Sequence, residues 1–343
     1  MKTASRQSGV VSLKDVANRA GCSIATASRA LNGHPTVGAA ERERVLEAAS
    51  QLRYVANSAA RALRSQETRL VGLIVPTLDH AIYARMVDGL QLQLEKAGIS
   101  VLINSSGYDL EREETQARIL VARGVEAVVM VGAEHRPETA DYLNRAGVHQ
   151  IFTYTTELGN GDAAIGFDNR EAAGIAGRYL LDLGHRRFGM ISGISEGNDR
   201  ARNRRDGFKE TLAAAGVPES EIVVIETSYN IDLGGAAMRS LMQTRPRPTA
   251  VFCGSDVLAV GAVRTCKSEG IAIPNEVSVV GFDDLEVAQV VTPELTTLNV
   301  PVKSMGEAAA DATLALFRGG KDIVTHVPLR LVVRQSTGPA PAT

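Results

Sequence analysis

The pentapeptide Gly193-Ile194-Ser195-Glu196-Gly197 follows an apolar run and has the Gly-x-Ser-x-Gly spacing of a nucleophile elbow. Asp283 and His326 follow it in the Ser, Asp, His order of α/β-hydrolases, an arrangement suited to acyl transfer. An elbow, however, needs a helix to begin directly after its serine. Residues 196–199, Glu-Gly-Asn-Asp, read instead as a loop, with helix onset near 200–202. No His-Gly-Gly-Gly stretch lies upstream to supply oxyanion donors, so a Ser195 hydrolase is the weaker reading. No Gly-x-Gly-x-x-Gly follows the first apolar run and no phosphate-cradling Gly-x-x-x-x-Gly-Lys motif occurs, which leaves dinucleotide and nucleotide chemistry without support. Cys22, Cys253 and Cys266 are too widely spaced for a metal or redox pair and read as reduced thiols of a cytosolic protein. The expectation is a non-enzyme with no cofactor.

Basic residues carry a stronger signal. Residues 1–65 hold ten Lys or Arg against four Asp or Glu, a net +6, while the remainder holds 27 against 35, a net −8. A basic head on an acidic body points to a polyanionic partner for the head alone. A second basic group, Arg200, Arg202, Arg204 and Arg205, places guanidinium forks that bind carboxylates, phosphates or diols.

The elements that position these residues follow from periodicity. Ser12-Leu13-Lys14-Asp15 fits a capping box, and Leu13, Val16, Ala17 and Ala20 fall on one helical stripe that Gly21 ends. Ser23 caps a second helix over 24–31, with Ala27, Ala30 and Leu31 on one face and Ile24, Ala25, Ser28 and Arg29 on the other. Asn32-Gly33-His34-Pro35 stops it, and a third helix runs from about 39 to 52 with Val45, Ala49 and Leu52 inward. Two short helices joined by a tight glycine turn, the second half exposed, make a helix-turn-helix. From residue 70, Val/Ile runs at 70–75, 101–104, 127–131, 150–153, 164–167, 187–192, 222–226, 250–253 and 277–281 alternate with helix-period stretches, and a last strand spans 326–333. Continuous apolar runs are those of strands buried on both faces, so the body is α/β with parallel sheets. Nine strands before the last are many for one sheet and imply two lobes.

The literal residues go further. Leu13-Lys-Asp-Val-Ala17, Ala20-Gly-Cys-Ser23, Thr26-Ala-Ser-Arg29-Ala-Leu-Asn-Gly33 and Arg53-Tyr54-Val-Ala-Asn57 strongly resemble the lactose/galactose-repressor (LacI/GalR) family of transcriptional regulators, and the resemblance extends to the C-terminus. It implies an all-α helix-turn-helix head followed by two Rossmann-like lobes of the periplasmic-binding-protein kind. The expected layout is 1–55 for the head and 56–69 for a hinge helix and linker. The first lobe would take 70–160 with about 294–322, the second 161–293 with about 323–336, and 337–343 would be a tail.

By the same resemblance, Ile24, Ala25 and Arg29 would read base edges, with Ser23, Thr26, Ser28 and Asn32 at or near the backbone phosphates. Asn57 would cap the hinge helix, Ala60 would meet the partner's hinge, and Leu63 would wedge into the minor groove. Ile24 and Ala25 are both apolar where the family often has a polar residue, and Ala56 stands where proline is usual. In the body, Tyr83 would cover a ligand, Arg204 would grip it, and Asp283 would accept its hydroxyls. Phe167, in Phe167-Asp168-Asn169, would open the second lobe. Tyr154 replaces an acid found there in the lactose repressor, and Ser255 departs from an Asn-Asp pair; Asp256 itself reads as the cap of its own helix. The implied protein is a cytoplasmic homodimeric repressor of pseudo-palindromic double-stranded DNA, controlled by a sugar, sugar acid or sugar phosphate, with no membrane partner. A secreted solute-binding protein would need an apolar signal core that residues 1–17 do not contain.

Overall fold

The computed structural model describes residues 11–54 and 68–342 and divides the chain into two units, 1–68 and 69–343. In the first unit three helices, α1 (Leu13–Ala20), α2 (Ile24–Leu31) and α3 (Ala39–Gln51), enclose a small core of Val16, Ala17, Ala27, Ala30, Val37, Val45, Ala48 and Ala49. Short side chains dominate it, so the helices pack closely. Both halves of the α1 capping box form: the Asp15 amide donates to Ser12 Oγ at 3.3 Å, and the Ser12 amide donates to Asp15 Oδ2 at 2.8 Å. Gly21 takes φ 67°, and the Ser23 hydroxyl accepts from the Thr26 amide at 3.0 Å to start α2. The Arg19 guanidinium on α1 donates to Gln51 Oε1 on α3 at 2.7 Å.

The second unit contains two six-stranded sheets of matching order. The first sheet consists of β1 (Leu70–Val75), β2 (Ser100–Ser105), β3 (Ala127–Val131), β4 (His149–Thr153), β5 (Ala163–Gly166) and β11 (Ile323–His326), in the order β11-β5-β4-β3-β1-β2. The second comprises β6 (Phe188–Gly193), β7 (Ile222–Thr227), β8 (Ala250–Cys253), β9 (Ser278–Asp283), β10 (Thr296–Asn299) and β12 (Arg330–Val332), in the order β12-β10-β9-β8-β6-β7. Every pairing is parallel except β10 with β12. The helices are α4 (Ala81–Lys96), α5 (Leu110–Ala122), α6 (Pro137–Arg145), α7 (Asn169–Asp182), α8 (Asp199–Ala214), α9 (Ile231–Gln243), α10 (Asp256–Ser268), α11 (Val287–Val290) and α12 (Val302–Leu316). They cover the sheets as right-handed crossovers require. None of the described helices is long and apolar enough to cross a membrane.

The strand pairing moves the lobe boundaries away from those expected. β5 lies in the first sheet between β4 and β11, so the second lobe does not begin near residue 161. β10, expected within the first lobe, pairs with β9 in the second. The single strand expected at 326–333 is two strands, one in each sheet. The chain therefore crosses between lobes three times. β10 escaped notice because Thr296-Thr297-Leu298-Asn299 is no apolar run, yet both threonines are fully buried. Their hydroxyls are satisfied: Thr297 Oγ1 donates to Asp256 Oδ1 at 2.6 Å, and Thr296 Oγ1 pairs with Thr337 Oγ1 at 2.9 Å. α12 returns to the first lobe and packs on α4 so closely that a Cβ at Gly306 would stand 2.1 Å from the Met86 carbonyl oxygen.

The expected tail is likewise part of the second lobe. The Gly338 amide donates to Ser278 Oγ at 3.1 Å, and the Ala340 amide donates to the Leu183 carbonyl at 2.8 Å. His185 pins this segment, with Nδ1 on Thr249 Oγ1 at 3.0 Å and Nε2 within 3.2 Å of the Gly338 carbonyl. Burial lowers the His185 pKa, outweighing the opposing hydrogen bond to Gly338. A depressed imidazole contributes stability that is fully present above its unfolded pKa and is lost as pH falls through that value toward the folded one. The thermal midpoint is expected to drop between about pH 7.5 and pH 5.5, with His185→Gln flattening that drop. Parallel wild-type and variant curves in differential scanning calorimetry would contradict this.

Candidate functional site

On the head, α2 presents Ile24, Ala25 and Arg29 to solvent, with Ile24 49% exposed. Ser23 and Asn32 are exposed at its two ends, and Thr26 is half-buried. Arg29, with Nε 3.4 Å from the Ala25 carbonyl, is the one long cationic side chain of this helix. The exposure expected of Ser28 is not found: it is buried. Ser28 lies on the same helical row as Ile24 and Asn32, and the Asn32 amide folds back to donate to its carbonyl at 2.8 Å. Asn57, Ala60 and Leu63 lie outside the described residues.

In the body, the carboxyl ends of both sets of strands face one cleft, where open α/β sheets place their ligands. Tyr83 near the start of α4, Tyr154 just after β4, Arg204 on α8, Ser255 ahead of α10 and Asp283 at the end of β9 line one chamber, as do Tyr108, Tyr229 and Arg200. Phe167 is not on the chamber wall. It stands behind it, its ring 6.4 Å from Tyr154 and 6.0 Å from Phe282.

Arg204 is buried and partly satisfied. Nη1 donates to Asn169 Oδ1 at 2.6 Å, Nη2 donates to the Tyr229 hydroxyl at 3.1 Å, and the guanidinium lies over the Phe282 ring at 4.7 Å. Its Nε and the Tyr154 hydroxyl have no hydrogen-bond partner, although both atoms are buried. Unsatisfied buried polar atoms are costly, so a site holding two of them is built for a group that arrives from outside. Tyr108 (φ 63°), Tyr154 (φ 60°) and Asp283 (φ 116°) all have left-handed backbones, a strain of about 1–3 kcal/mol each that concentrates at ligand clamps.

Burial pushes the Asp283 carboxyl well above the usual carboxylate range, the neighbouring Asp256 adds to the effect, and Arg204 opposes it. Asp256 itself is pushed up to about 7, by burial first. It does not cap α10. Ser255 does, accepting from the Leu258 amide at 3.3 Å, while Asp256 turns inward to accept from Thr297 and, at 2.7 Å, from the Leu285 amide.

Sequence reasoning missed the contacts that join the lobes. Arg200 Nη1 on α8 donates to the Val131 carbonyl of β3 at 2.7 Å and to Asp199 Oδ1 at 2.7 Å, while Asp199 Oδ2 accepts from the Ala133 amide at 2.9 Å. Arg202 Nη2 reaches Glu134 at 3.0 Å, Arg85 pairs with Glu286, and His80 Nε2 donates to the Tyr229 carbonyl at 3.2 Å. Gly132 makes the approach feasible: a Cβ there would lie 1.8 Å from Arg200 Nη1. Position gave a usable signal, since Tyr108 and Tyr229 sit just beyond β2 and β7 at the carboxyl edge of their sheets.

Ser195 is not part of a triad. Its Oγ donates to Glu226 Oε1 at 2.5 Å and accepts from Arg205 Nη1 at 3.0 Å, and His326 belongs to β11 of the other sheet. Among the described residues no cluster of His, Cys, Asp and Glu could hold a metal ion.

Residues 12–57 match the family described as bacterial regulatory proteins, lacI family, and residues 178–337 match a periplasmic binding protein-like domain. The chain is 31% identical over 336 residues to the HTH-type transcriptional regulator GntR of Pseudomonas aeruginosa, covering 97% of each. It is 28% identical over 330 residues to catabolite control protein A of Priestia megaterium, covering 95% of this chain and 99% of that one. Among solved structures, the lac repressor dimer bound to operator and the anti-inducer ONPF superposes with a TM-score of 0.85 at 25% identity, over 96% of this chain and 99% of that one. A transcriptional regulator from Silicibacter pomeroyi does so with a TM-score of 0.85 at 26% identity, over 95% and 99%.

Removing one partner of a buried ion pair costs about 3–5 kcal/mol because the other charge is left unsolvated. In Asp199→Ala the Arg200 guanidinium escapes that cost only if the lobes part. Small-angle scattering of the ligand-free variant is expected to give a larger radius of gyration than wild type. A superimposable profile would contradict the assignment of this pair as the closure contact.

Proposed function

The chain belongs to the lacI family of bacterial regulatory proteins and is a DNA-binding transcriptional regulator, not an enzyme; on that premise we propose how it reads DNA and what controls it. The carrying observation is the exposed face of α2. Ile24, Ala25 and Arg29 stand out from a Ser23-capped helix in a head of net charge +6 over residues 1–65. Such a helix enters the major groove with its N-terminal residues at base edges. Arg29 supplies the bidentate donor for a guanine, and Ile24 and Ala25 supply apolar contact with thymine methyl groups. Ser23, Thr26 and Asn32 serve the phosphates. Ser28, enclosed as described, supports the helix rather than the DNA. Asn57, Ala60 and Leu63 are proposed for the hinge, with Leu63 entering the minor groove.

The protein acts as a cytoplasmic homodimer on a pseudo-palindromic operator, in the repressor role that the names of several relatives carry. The lac repressor neighbour was itself solved as a dimer on its operator. The effector is a small carbohydrate-like molecule held between the lobes. Arg204 and Tyr154 donate to it, the Asp283 carboxyl accepts from its hydroxyls, and Tyr83 and Ser255 complete the wall. Lobe closure around the effector changes operator affinity, and linkage requires operator to change effector affinity by the same factor.

Selection of double-stranded DNA from a random pool with the full chain is expected to enrich an inverted repeat. Arg29→Ala is expected to lose about 1–3 kcal/mol per half-site, with sequence preference relaxed at one position of each half-site. Failure to enrich any sequence would refute this reading of α2.

A further inference from the structure

The cleft holds two chambers, and the free space is not where the expected ligand residues converge. The inner chamber, with Arg204, Tyr154 and Asp283, has ≈ 40 Å³ free, whereas the outer one has ≈ 700 Å³. Small-molecule sites occupy about 300–1,000 Å³, so only the outer chamber is ligand-sized and the inner one admits a single functional group.

Tyr108 and Tyr229 form the common wall. Their rings lie 5.9 Å apart at 35°. Each is held from the inner side, Tyr229 by Arg204 and Tyr108 by the Tyr83 hydroxyl at 3.3 Å. The left-handed backbone of Tyr108 fixes it further. On the outer side Leu110 and the exposed Ile194 add apolar surface, and Asp109 and Glu196 add carboxylates; no Lys or Arg is among the described lining residues. Aromatic faces receive the C–H faces of a sugar ring and carboxylates accept from its hydroxyls, while the same carboxylates repel phosphate.

We propose that the outer chamber holds the rings of an uncharged disaccharide or longer glycoside, of which a single functional group passes the Tyr108–Tyr229 wall to meet Arg204. This rests on the carbohydrate-effector reading above.

The test is isothermal titration of the full chain with glucose and galactose, with cellobiose, maltose and lactose, and with glucose 6-phosphate. At least one disaccharide is expected to bind about tenfold tighter than its component hexoses. Ser228→Trp, which narrows the outer chamber from an exposed position, is expected to erase that advantage. Ile194→Ala, a milder change at the rim, gives a partial loss. Equal affinity for hexose and disaccharide, tighter binding of the phosphate, or disaccharide binding untouched by both variants overturns the outer-chamber site and leaves the effector reading standing. No binding by any of these sugars overturns both.

Discussion

Asp199 and Arg200 are two consecutive residues at the start of one helix, and they fix the cleft. Both are buried and both belong to the second lobe, yet their hydrogen bonds end on the Val131 carbonyl and the Ala133 amide of the first. Burying an ion pair is expensive, and it is tolerated here because Arg200 Nη1 and Asp199 Oδ2 each find a partner across the gap while Asp199 Oδ1 accepts from Arg200 itself. The Arg200 charge is held by Asp199 against the effect of burial. Open the lobes and the pair loses its partners but regains water. A ligand-responsive hinge requires such an exchange of partners between two states.

The rest of the body serves that contact. Three crossings between the lobes, instead of one, confine relative motion to a hinge. The matching strand orders bring the carboxyl ends of β1, β2 and β3 opposite those of β6, β7 and β9. The left-handed backbones of Tyr108, Tyr154 and Asp283 gather at this edge because the packed sheets behind them hold otherwise unfavourable conformations in place. Asp256 shows how firmly the second lobe is braced: one carboxyl group joins α10, β10 and the segment after β9.

The sequence made the head readable to the residue, because its signals are local. Capping serine, glycine turn and apolar stripe lie within a few positions of one another, and each forms as expected. Ser28 is the exception: its type and helical position match the exposed face, yet it is buried. In the body, the first nine strands are visible as Val/Ile-rich runs, and Arg204, Tyr83, Tyr154, Ser255 and Asp283 do converge. What was hidden is non-local. The buried threonines of β10 look polar until their partners Asp256 and Thr337 are known. The segment after residue 336 looks like a tail until Gly338 and Ala340 are seen bonded to Ser278 and Leu183. The assignment of β5 and β11 to the first sheet depends on pairing, which periodicity does not encode. Arg200 was seen only as one of four arginines, because Gly132, the residue that admits it, is 68 positions away in the sequence.

On the reading proposed above, closure of this cleft and affinity for DNA are one equilibrium. The most direct test is a fluorescence-anisotropy titration of the selected operator with wild type and Asp199→Ala, without effector and at fixed salt. Dissociation constants that differ by about fivefold or more, the usual range of allosteric coupling, are expected. Equal constants, in a variant whose scattering shows the lobes apart, would contradict it.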